Sequence, residues 1–184
     1  FIGSEGILGF ITEATLKLTA PPKDPTVLVL GLSDMSAIMS VLDRIQSTTT
    51  LLAYEFFSEL AVSKVVDHAG VARPFETRTP FYALVEFERE HDMTDAHVFE
   101  AVEQCMEEGW VVDAVMSQSV AQASALWRLR EDISETISRW TPYKNDISST
   151  VSKVPELLAA VDDVVHENYP DWEVVWYGHI GDGN

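Results

Sequence analysis

Cysteine and basic residues are scarce in this 184-residue sequence. Its single cysteine, Cys105, excludes an intrachain disulfide and a cysteine-based metal knuckle. Lysine and arginine together number 12 against 30 aspartate and glutamate residues, which gives a formal net charge of -18. Because phosphate backbones and anionic lipids repel a protein of this sign, we expect no nucleic acid and no membrane surface among its partners.

Long apolar runs are missing as well. No run approaches the roughly 18 residues that a membrane span needs, and the first residues lack the basic, apolar and small-residue order of a signal peptide. These absences predict no transmembrane segment and a cytoplasmic location. The chain begins at Phe1, directly before a glycine-rich motif, and stops inside another at Asn184. We therefore expect it to be a piece of a longer protein, truncated at both ends.

Hydrophobic residues make up 46% of the chain, which is enough for one main folded core at this length. Pro21, Pro22 and Pro25 interrupt regular structure near the start, because proline lacks an amide donor and restricts the residue before it. We place a domain boundary within residues 19–25 and divide the chain into segments 1–22 and 23–184.

Beyond this boundary, β-rich runs alternate with helical stripes. A strand-like alternation occupies the later half of residues 10–18, and further predicted strands cover residues 26–30, 51–57, 81–87, 110–116, 144–149 and 173–177. Predicted helices begin at Ser33 or Asp34, follow the 51–57 strand to near Gly70, run from Asp92 or Thr94 to Gly109, cover residues 119–139, and start again at Pro155.

This alternation by itself favours a parallel, doubly wound sheet. The glycine-rich loop Gly3–Gly9, however, precedes a predicted strand and not a helix, so it does not have the arrangement of a dinucleotide-binding fingerprint. Polar and apolar residues also alternate in Val85–Glu88, which is typical of a sheet that is open on one face. We predict an α+β fold with a largely antiparallel sheet and helices packed on one face.

Arg130 is the most informative residue of the long predicted helix. At about 100° per residue it falls inside the apolar stripe of Leu126, Ile133 and Ile137, whereas Arg128 falls on the opposite, charged side. A guanidinium on the core side must be paired, because stranding it away from water is costly. Arg130 therefore pairs with an interior carboxylate, snorkels from the edge of the stripe, or binds a ligand carboxylate through two parallel hydrogen bonds.

Ser134, Lys144 and His179 are the other candidate site residues. Ser134 lies one turn after Arg130 and could donate its hydroxyl to the same ligand. Lys144 is either an edge-strand charge or, beside Arg130, part of a positive pocket for an anionic substrate. His179 follows an apolar strand within Gly178–Asn184, and it is either a satisfied structural histidine or a metal ligand or acid–base group.

Other reactive residue types have simpler interpretations. Cys105 lies on an apolar helical stripe, which indicates a buried, inert thiol. The loop Gly3–Gly9 could present backbone amides to a phosphate or a flavin edge, although glycine turns also arise for geometry alone. The remaining histidines show no ligand spacing and are interpreted as surface residues: His68, His91, His97 and His166.

The motifs taken together resemble a known family. Gly3–Leu18 resembles the closing segment of the flavin-binding domain in FAD-linked oxidases of the vanillyl-alcohol-oxidase type. Gly178–Asn184 resembles the His-x-Gly-Asp-Gly-Asn signature of the D-2-hydroxyacid dehydrogenase branch. Between them, Leu126–Glu131 and Tyr143–Asp146 resemble that branch's substrate-domain motifs, in the same order. The lysine at position 144 makes the resemblance to D-2-hydroxyglutarate dehydrogenases greater than to D-lactate dehydrogenases.

This resemblance implies a division of the chain and a flavin-binding loop. Residues 1–22 would be the C-terminal segment of an FAD-binding domain, and residues 23–184 a substrate-binding cap domain that is truncated at its C-terminus. Ile7 stands where the family usually has threonine. The residues implied in FAD binding are Gly3, Ser4, Glu5, Gly6, Ile7, Leu8, Gly9, Phe10 and Ile11.

The resemblance also implies roles in substrate and metal binding. Arg130 would bind the substrate carboxylate and Lys144 the distal carboxylate of a dicarboxylic acid, with Ser134 standing where the family often has threonine. Asn184 would be a further substrate-binding residue. His179 would be a catalytic residue and the first histidine ligand of a divalent metal, usually described as zinc.

The implied function is that of an FAD-dependent dehydrogenase, which oxidises a D-2-hydroxy acid to the 2-oxo acid by hydride transfer to flavin. The electron acceptor is not identified, a homodimer is left open, and the chain alone is expected to be inactive. Two alternatives remain: a D-lactate or glycolate type of flavin oxidoreductase, and a noncatalytic binding subunit of an oxidase complex.

Overall fold

The computed structural model describes residues 1, 3–89 and 94–184. The strands of the described part are β1 Pro25–Leu32, β2 Leu51–Ser58, β3 Phe81–Glu88, β4 Val111–Met116 and β5 Tyr177–Gly178. The helices there are α1 Ala37–Gln46, α2 Glu59–Ala69, α3 Thr94–Glu107, α4 Val120–Glu131, α5 Ile133–Ile137 and α6 Val154–Asn168. Short 3-10 turns cover Ser138–Trp140, Val151–Lys153 and Ile180–Asp182.

The strands form one sheet in the order β4-β1-β3-β2-β5, and every neighbouring pair is antiparallel. β2 is therefore flanked by β3 on one side and by the short β5 on the other. In the β2–β5 pair, Phe56 lies opposite Gly178 and Phe57 opposite Tyr177. The predicted α+β class with an antiparallel sheet is confirmed.

Helices cover both faces of the sheet, so the prediction that they pack on one face is wrong. Alternate residues of β1 point to opposite faces: Leu28 and Leu30 pack with α1, α3 and α6, whereas Val27 and Val29 pack with α2, α4 and α5. Glu86 of β3, which indicated an open face in the sequence, lies beneath α4. It accepts a hydrogen bond from Trp127 Nε1 at 3.1 Å, so a polar strand position does not here mark a solvated face.

The long predicted helix over residues 119–139 is interrupted. Ser119 caps its start, since its Oγ accepts a hydrogen bond from the amide of Gln122 at 3.2 Å. The helix ends at Glu131, and Asp132 separates it from the short α5 and the following 3-10 turn. Arg130 and Ser134 therefore lie on either side of this break.

Three predicted strands differ from the structure. The segment 144–149 and the segment 10–18 have no regular secondary structure, and neither is paired with a strand of the described sheet. The predicted strand 173–177 is reduced to Tyr177–Gly178. Backbone pairing with Ser58 still reaches Trp176, but β2 ends at Ser58 because α2 begins at Glu59, so residues 173–175 have no partner strand.

Helix starts and stops were predicted from local signals. The carboxylate of Asp34 accepts hydrogen bonds from the amides of Ser36 and Ala37 at 2.8 and 3.0 Å, which supports the start of α1. The helix α2 ends at Ala69, as predicted from Gly70, and Gly70 adopts a left-handed conformation directly after it. The predicted cap Asp92 and the predicted surface residue His91 lie outside the described residues. None of the described helices has the length and apolar character needed to cross a membrane.

Candidate active site

A buried carboxylate, Glu55, lies at the centre of the candidate site. It belongs to β2, has 3% of its surface exposed, and was not singled out by the sequence analysis. Apolar residues dominate the run from 51 to 57, and Glu55 is its one charged member. That isolated charge was the available signal, because a carboxylate that faces a core has to be paired.

Arg130 is one partner of this carboxylate. Its Nε donates a hydrogen bond to Glu55 Oε2 at 2.9 Å, with side-chain exposures of 13% for Arg130 and 4% for Glu55. The guanidinium carbon lies 5.1 Å from the ring centroid of Tyr177, a cation–π arrangement. The interpretation of Arg130 as the partner of an interior carboxylate is confirmed.

The same pairing leaves the outer part of the Arg130 guanidinium available. No hydrogen bond to the described part of the chain engages Nη1 or Nη2. Among the described residues, no buried side-chain nitrogen or oxygen lacks a partner, so these two nitrogens reach the protein surface. Pairing with Glu55 and binding of a ligand anion are therefore compatible, and the second role stays a prediction.

His179 is the other partner of Glu55. Its Nδ1 lies 2.6 Å from Glu55 Oε1, and its side chain is 58% exposed. Phe56 lies opposite Gly178, so the antiparallel register brings His179 opposite Glu55. Directly opposed residues of an antiparallel pair point to the same face of the sheet. The sheet itself thus positions the imidazole against the carboxylate.

Lys144 and Ser134 form a second contact, next to the break between α4 and α5. Lys144 Nζ lies 2.9 Å from Ser134 Oγ and 3.2 Å from the Ser134 carbonyl oxygen. The hydroxyl of Ser138 is 3.4 Å from the same nitrogen. The predicted strand position of Lys144 is wrong, but the structure brings this lysine to Ser134, which lies four residues after Arg130. No ion pair joins Lys144 to a carboxylate in the described ranges.

The glycine-rich loop that follows β5 packs tightly against its neighbours. A Cβ atom on Gly183 would lie 2.2 Å from the carbonyl oxygen of Ser149, and one on Gly178 would lie 2.6 Å from that of Asn184. The amide of Asn184 donates a hydrogen bond to the carbonyl of His179 at 3.3 Å. These glycines allow close approach of protein backbone, and they hold His179 at the start of a compact turn.

The predicted flavin-binding loop is not brought to this cluster. Residues 3–11 have no regular strand or helix, and Gly3, Gly6 and Gly9 adopt positive φ angles. The apolar side chains Ile7, Leu8, Phe10 and Ile11 are exposed. The hydrogen bonds of residues 1–22 with the described chain stay within the loop, as between Ser4 and Phe1. Their role in FAD binding stays a prediction, and so does the domain boundary after residue 22.

The part of the chain that the structure describes does not contain a complete set of metal-binding side chains. It holds no group of three or more histidine, cysteine, aspartate or glutamate side chains that could bind a metal ion. His179 offers one ring nitrogen, Nε2, because Nδ1 faces Glu55. His68 packs against Trp140, and His166 contacts the Asp162 carbonyl. The described residues therefore do not by themselves make the predicted metal site.

A neighbouring carboxylate, Glu59, has a structural role. It accepts hydrogen bonds from Arg73 at 2.8 and 3.2 Å, from Tyr82 at 2.7 Å and from Ser63 at 2.9 Å. Burial alone would raise the pKa of Glu59, but these hydrogen bonds and the charge of Arg73 give a net lowering. None of these partners is a candidate site residue. Glu59 therefore serves as an example of a structural carboxylate with which Glu55 can be compared.

Cys105 is fully buried, and burial raises the pKa of its thiol. A thiol that is protonated and enclosed is a poor nucleophile. The interpretation of Cys105 as an inert core residue is therefore consistent with its surroundings, and we assign it no part in the site.

Comparisons with known proteins agree with the sequence resemblance. A family model described as FAD linked oxidases, C-terminal domain, matches residues 21–184. A D-2-hydroxyglutarate dehydrogenase of Stutzerimonas stutzeri (strain A1501) is 55% identical over 184 residues, covering 100% of this chain and 40% of that protein. One of Xanthomonas citri pv. viticola is 47% identical over 183 residues, with 100% and 39% covered.

A mitochondrial protein of Schizosaccharomyces pombe, with D-lactate dehydrogenase in its name, is 30% identical over 199 residues, covering 100% of this chain and 38% of that protein. The chain thus spans about two fifths of the length of the curated relatives it matches. The family match covers nearly the whole α+β domain, including every residue of the Glu55 cluster. The chain belongs to the FAD-linked oxidases, as their C-terminal domain.

Proposed function

We propose that this chain is the substrate-binding part of an FAD-dependent dehydrogenase that oxidises D-2-hydroxyglutarate to its 2-oxo acid. The observation that carries the proposal is a pair of cationic groups: Arg130 on α4 has two available nitrogens, and Lys144, which contacts Ser134 of the following helix α5, has no carboxylate partner in the described ranges. Both occur in a chain with a net charge of -18. The names of two relatives support the substrate.

The two cations suit a dicarboxylic acid. Nη1 and Nη2 of Arg130 form a planar pair of donors, which matches the two oxygens of the carboxylate next to the hydroxyl-bearing carbon. Lys144 is a point charge that is already held by the Ser134 hydroxyl, and it would bind the distal carboxylate. In this arrangement Ser134 orients the lysine and lies next to the substrate chain. Asn184, at the end of the His179 turn, is proposed as a further polar contact.

His179 is proposed to lie beside the substrate hydroxyl, at the catalytic position. Its exposed imidazole presents Nε2, while Nδ1 is held by Glu55. A divalent metal, with zinc as the proposed ion, would be held by this nitrogen together with donors outside the described set, and it would polarise the substrate oxygens. The chain alone would supply one ligand, which is consistent with an inactive fragment.

The proposed oxidation removes two hydrogens from the substrate. The hydroxyl proton leaves to a base, and the hydrogen on the α-carbon leaves with both bonding electrons, so that a C=O bond forms. Bound FAD would accept that hydride, and residues 3–11 are proposed to contact it. The task of this chain is to hold the α-carbon in place through both carboxylates, which removes much of the entropic cost of the reaction. A homodimer and a cytoplasmic location stay predictions, and the electron acceptor is not identified.

Two other functions are tested by the same experiment. The Schizosaccharomyces pombe relative has D-lactate dehydrogenase in its name, and D-lactate lacks the distal carboxylate that Lys144 would bind. A noncatalytic binding subunit would need no flavin. The three candidate functions predict different flavin absorbance and different substrate preferences. Measurements on one purified protein therefore distinguish them.

The experiment uses the full-length protein that contains this chain. It is purified, its visible spectrum is recorded, and it is mixed anaerobically with D-2-hydroxyglutarate, L-2-hydroxyglutarate or D-lactate. We expect a yellow protein whose flavin absorbance is bleached fastest by D-2-hydroxyglutarate. Faster bleaching by D-lactate would replace the proposed substrate. A colourless protein that gains no flavin absorbance on reconstitution would reject the proposed enzyme in favour of a binding subunit.

A further inference from the structure

Glu55 joins the two halves of the candidate site through its two carboxylate oxygens. Oε2 accepts from Arg130 Nε at 2.9 Å, and Oε1 lies 2.6 Å from His179 Nδ1. The residue is 3% exposed, so water has little access to either oxygen. One rigid planar group thus fixes a guanidinium on α4 and an imidazole directly after β5 relative to each other.

The chemistry of these contacts assigns the proton on His179. An ionised carboxylate only accepts hydrogen bonds, and Glu55 forms an ion pair with Arg130, which is a permanent cation. The short contact at Oε1 therefore requires the ring proton of a neutral His179 to be on Nδ1. Nε2 then has its lone pair free, on a side chain that is 58% exposed.

We infer that Glu55 is a positioning residue, which holds His179 with its proton on Nδ1 and Nε2 free, and aligns Arg130 through Nε so that Nη1 and Nη2 face the ligand. This inference deepens the proposed function, and it rests on that function for the identity of the reaction. Glu55 itself does not touch the substrate. It sets the distance between the group that binds the substrate carboxylate and the group beside the substrate hydroxyl.

A purely structural ion pair would not need this arrangement. Glu59 shows what such a pair looks like nearby: Arg73 approaches it with two terminal nitrogens, and Tyr82 and Ser63 complete the set. Arg130 instead offers Glu55 its inner nitrogen and keeps the outer two available. The imidazole is more than half exposed, although its anchoring carboxylate is buried. Both partners of Glu55 thus direct their remaining nitrogens outward.

The direct test is the tautomer of His179. Full-length protein labelled with 15N-histidine and freed of metal by a chelator is examined by long-range 1H–15N NMR, and the His179 signals are assigned from their loss in His179→Gln. We expect the Nδ1–H form in the wild type. A glutamine at position 55 has one acceptor oxygen for two N–H donors. With that oxygen on Arg130, its NH2 faces Nδ1, so Glu55→Gln is expected to shift His179 to the Nε2–H form.

Glu59→Gln is the matched control, because it removes a paired carboxylate four residues away. It is expected to leave the His179 tautomer and the steady-state constants as in the wild type. Glu55→Gln is expected to lower kcat/KM for D-2-hydroxyglutarate by about 10–100-fold, the usual effect of removing a carboxylate that orients a functional histidine. Because both partners of Glu55 act on the bound substrate, we expect both a lower kcat and a higher KM.

Three results would overturn the inference. The first is a wild-type His179 with its proton on Nε2, which decides the matter even if Glu55→Gln does not fold. The second is a Glu55→Gln protein that keeps the Nδ1–H form. The third is a changed tautomer with unchanged kcat and KM. If the wild type fails to oxidise D-2-hydroxyglutarate, the proposed function fails, while the tautomer measurement still decides whether Glu55 positions His179.

Discussion

Lys144 Nζ lies 2.9 Å from the hydroxyl oxygen of Ser134, at the start of the helix that follows Arg130. The contact joins an ammonium that has no ion-pair partner in the described ranges to a neutral hydroxyl. Such a lysine keeps most of its charge available for a ligand. Lys144 is thus tied by one hydrogen bond to the helix that follows Arg130.

Lys144→Met is expected to weaken recognition of a dicarboxylate selectively. The variant keeps the apolar stem and loses the charge, so kcat/KM for D-2-hydroxyglutarate should fall by about 10–100-fold, as for the loss of one charged hydrogen bond. D-lactate has no distal carboxylate, so its constants should stay within about threefold. Steady-state kinetics with both acids check this. Lys153→Met is the control, since Lys153 pairs with Glu156. An unchanged preference for the dicarboxylate would contradict the role of Lys144.

Arg130→Lys is expected to separate charge from geometry. Lysine still supplies a cation for Glu55, but it lacks the fork that can bind Glu55 and a ligand carboxylate together. KM for the substrate should rise by about 10–100-fold. Arg128→Lys is the control on the same helix, because Arg128 pairs with Asp132 near the surface. Equal KM values for the two variants, with a lower melting temperature for Arg130→Lys alone, would indicate that Arg130 only supports the fold.

Gly183→Ala is expected to disrupt the turn that carries His179. The position has a φ of +83°, and an added Cβ would lie 2.2 Å from the Ser149 carbonyl oxygen. Left-handed strain and overpacking together should cost about 2–5 kcal/mol of unfolding free energy.

Gly109→Ala is the matched control for that substitution. Its φ is +75°, but an added Cβ would meet no atom within 4 Å, so only the strain of about 1–2 kcal/mol applies. Urea unfolding followed by tryptophan fluorescence compares the two variants. Equal losses would show that the close approach to Ser149 has no energetic consequence.

Glu59→Gln is expected to destabilise the protein in a pH-dependent way. Because the pKa of Glu59 is lowered in the folded state from an ordinary value of 4.5, its carboxylate stabilises the fold above that value. This contribution is lost as the pH falls through the folded-state pKa. The variant should therefore be less stable than wild type by about 1–3 kcal/mol at neutral pH, with a difference that shrinks at about pH 3.5.

Urea midpoints at the two pH values measure this difference. Glu156→Gln, in an exposed pair with Lys153, should leave stability nearly unchanged at both. A Glu59→Gln deficit that is as large in acid as at neutral pH would mean that packing of Glu59, and not its charge, stabilises the fold.

Much of the fold was predictable, because its signals are local. β1, β2 and β3 each contain a run of apolar and β-branched or aromatic residues, and the predictions over 26–30, 51–57 and 81–87 miss their bounds by at most two residues. Asp34 and Gly70 mark helix ends through hydrogen bonding and backbone conformation that depend only on neighbouring residues. Arg130 stood out because a charge on an apolar stripe violates the helical pattern.

Predictions failed where a partner distant in sequence decides the outcome. The segment 144–149 has strand-like residues, but no strand of the described sheet pairs with it, and β5 is short because β2 ends at Ser58. Glu86 resembles a solvent-facing residue until Trp127 of α4 is seen to cover it. Glu55 was missed because its two partners are 75 and 124 residues away.

The sequence by itself determined the acidic character, the α+β class, the elements with strong local patterns and the identity of Arg130, Lys144 and His179 as unusual residues. Only the tertiary structure decided that both faces of the sheet are covered and that one buried carboxylate joins Arg130 to His179. The reason is physical: periodicity and capping act between neighbouring residues, whereas the pairing of a buried charge depends on which side chains the β2–β5 register and the packing of α4 bring within hydrogen-bonding distance.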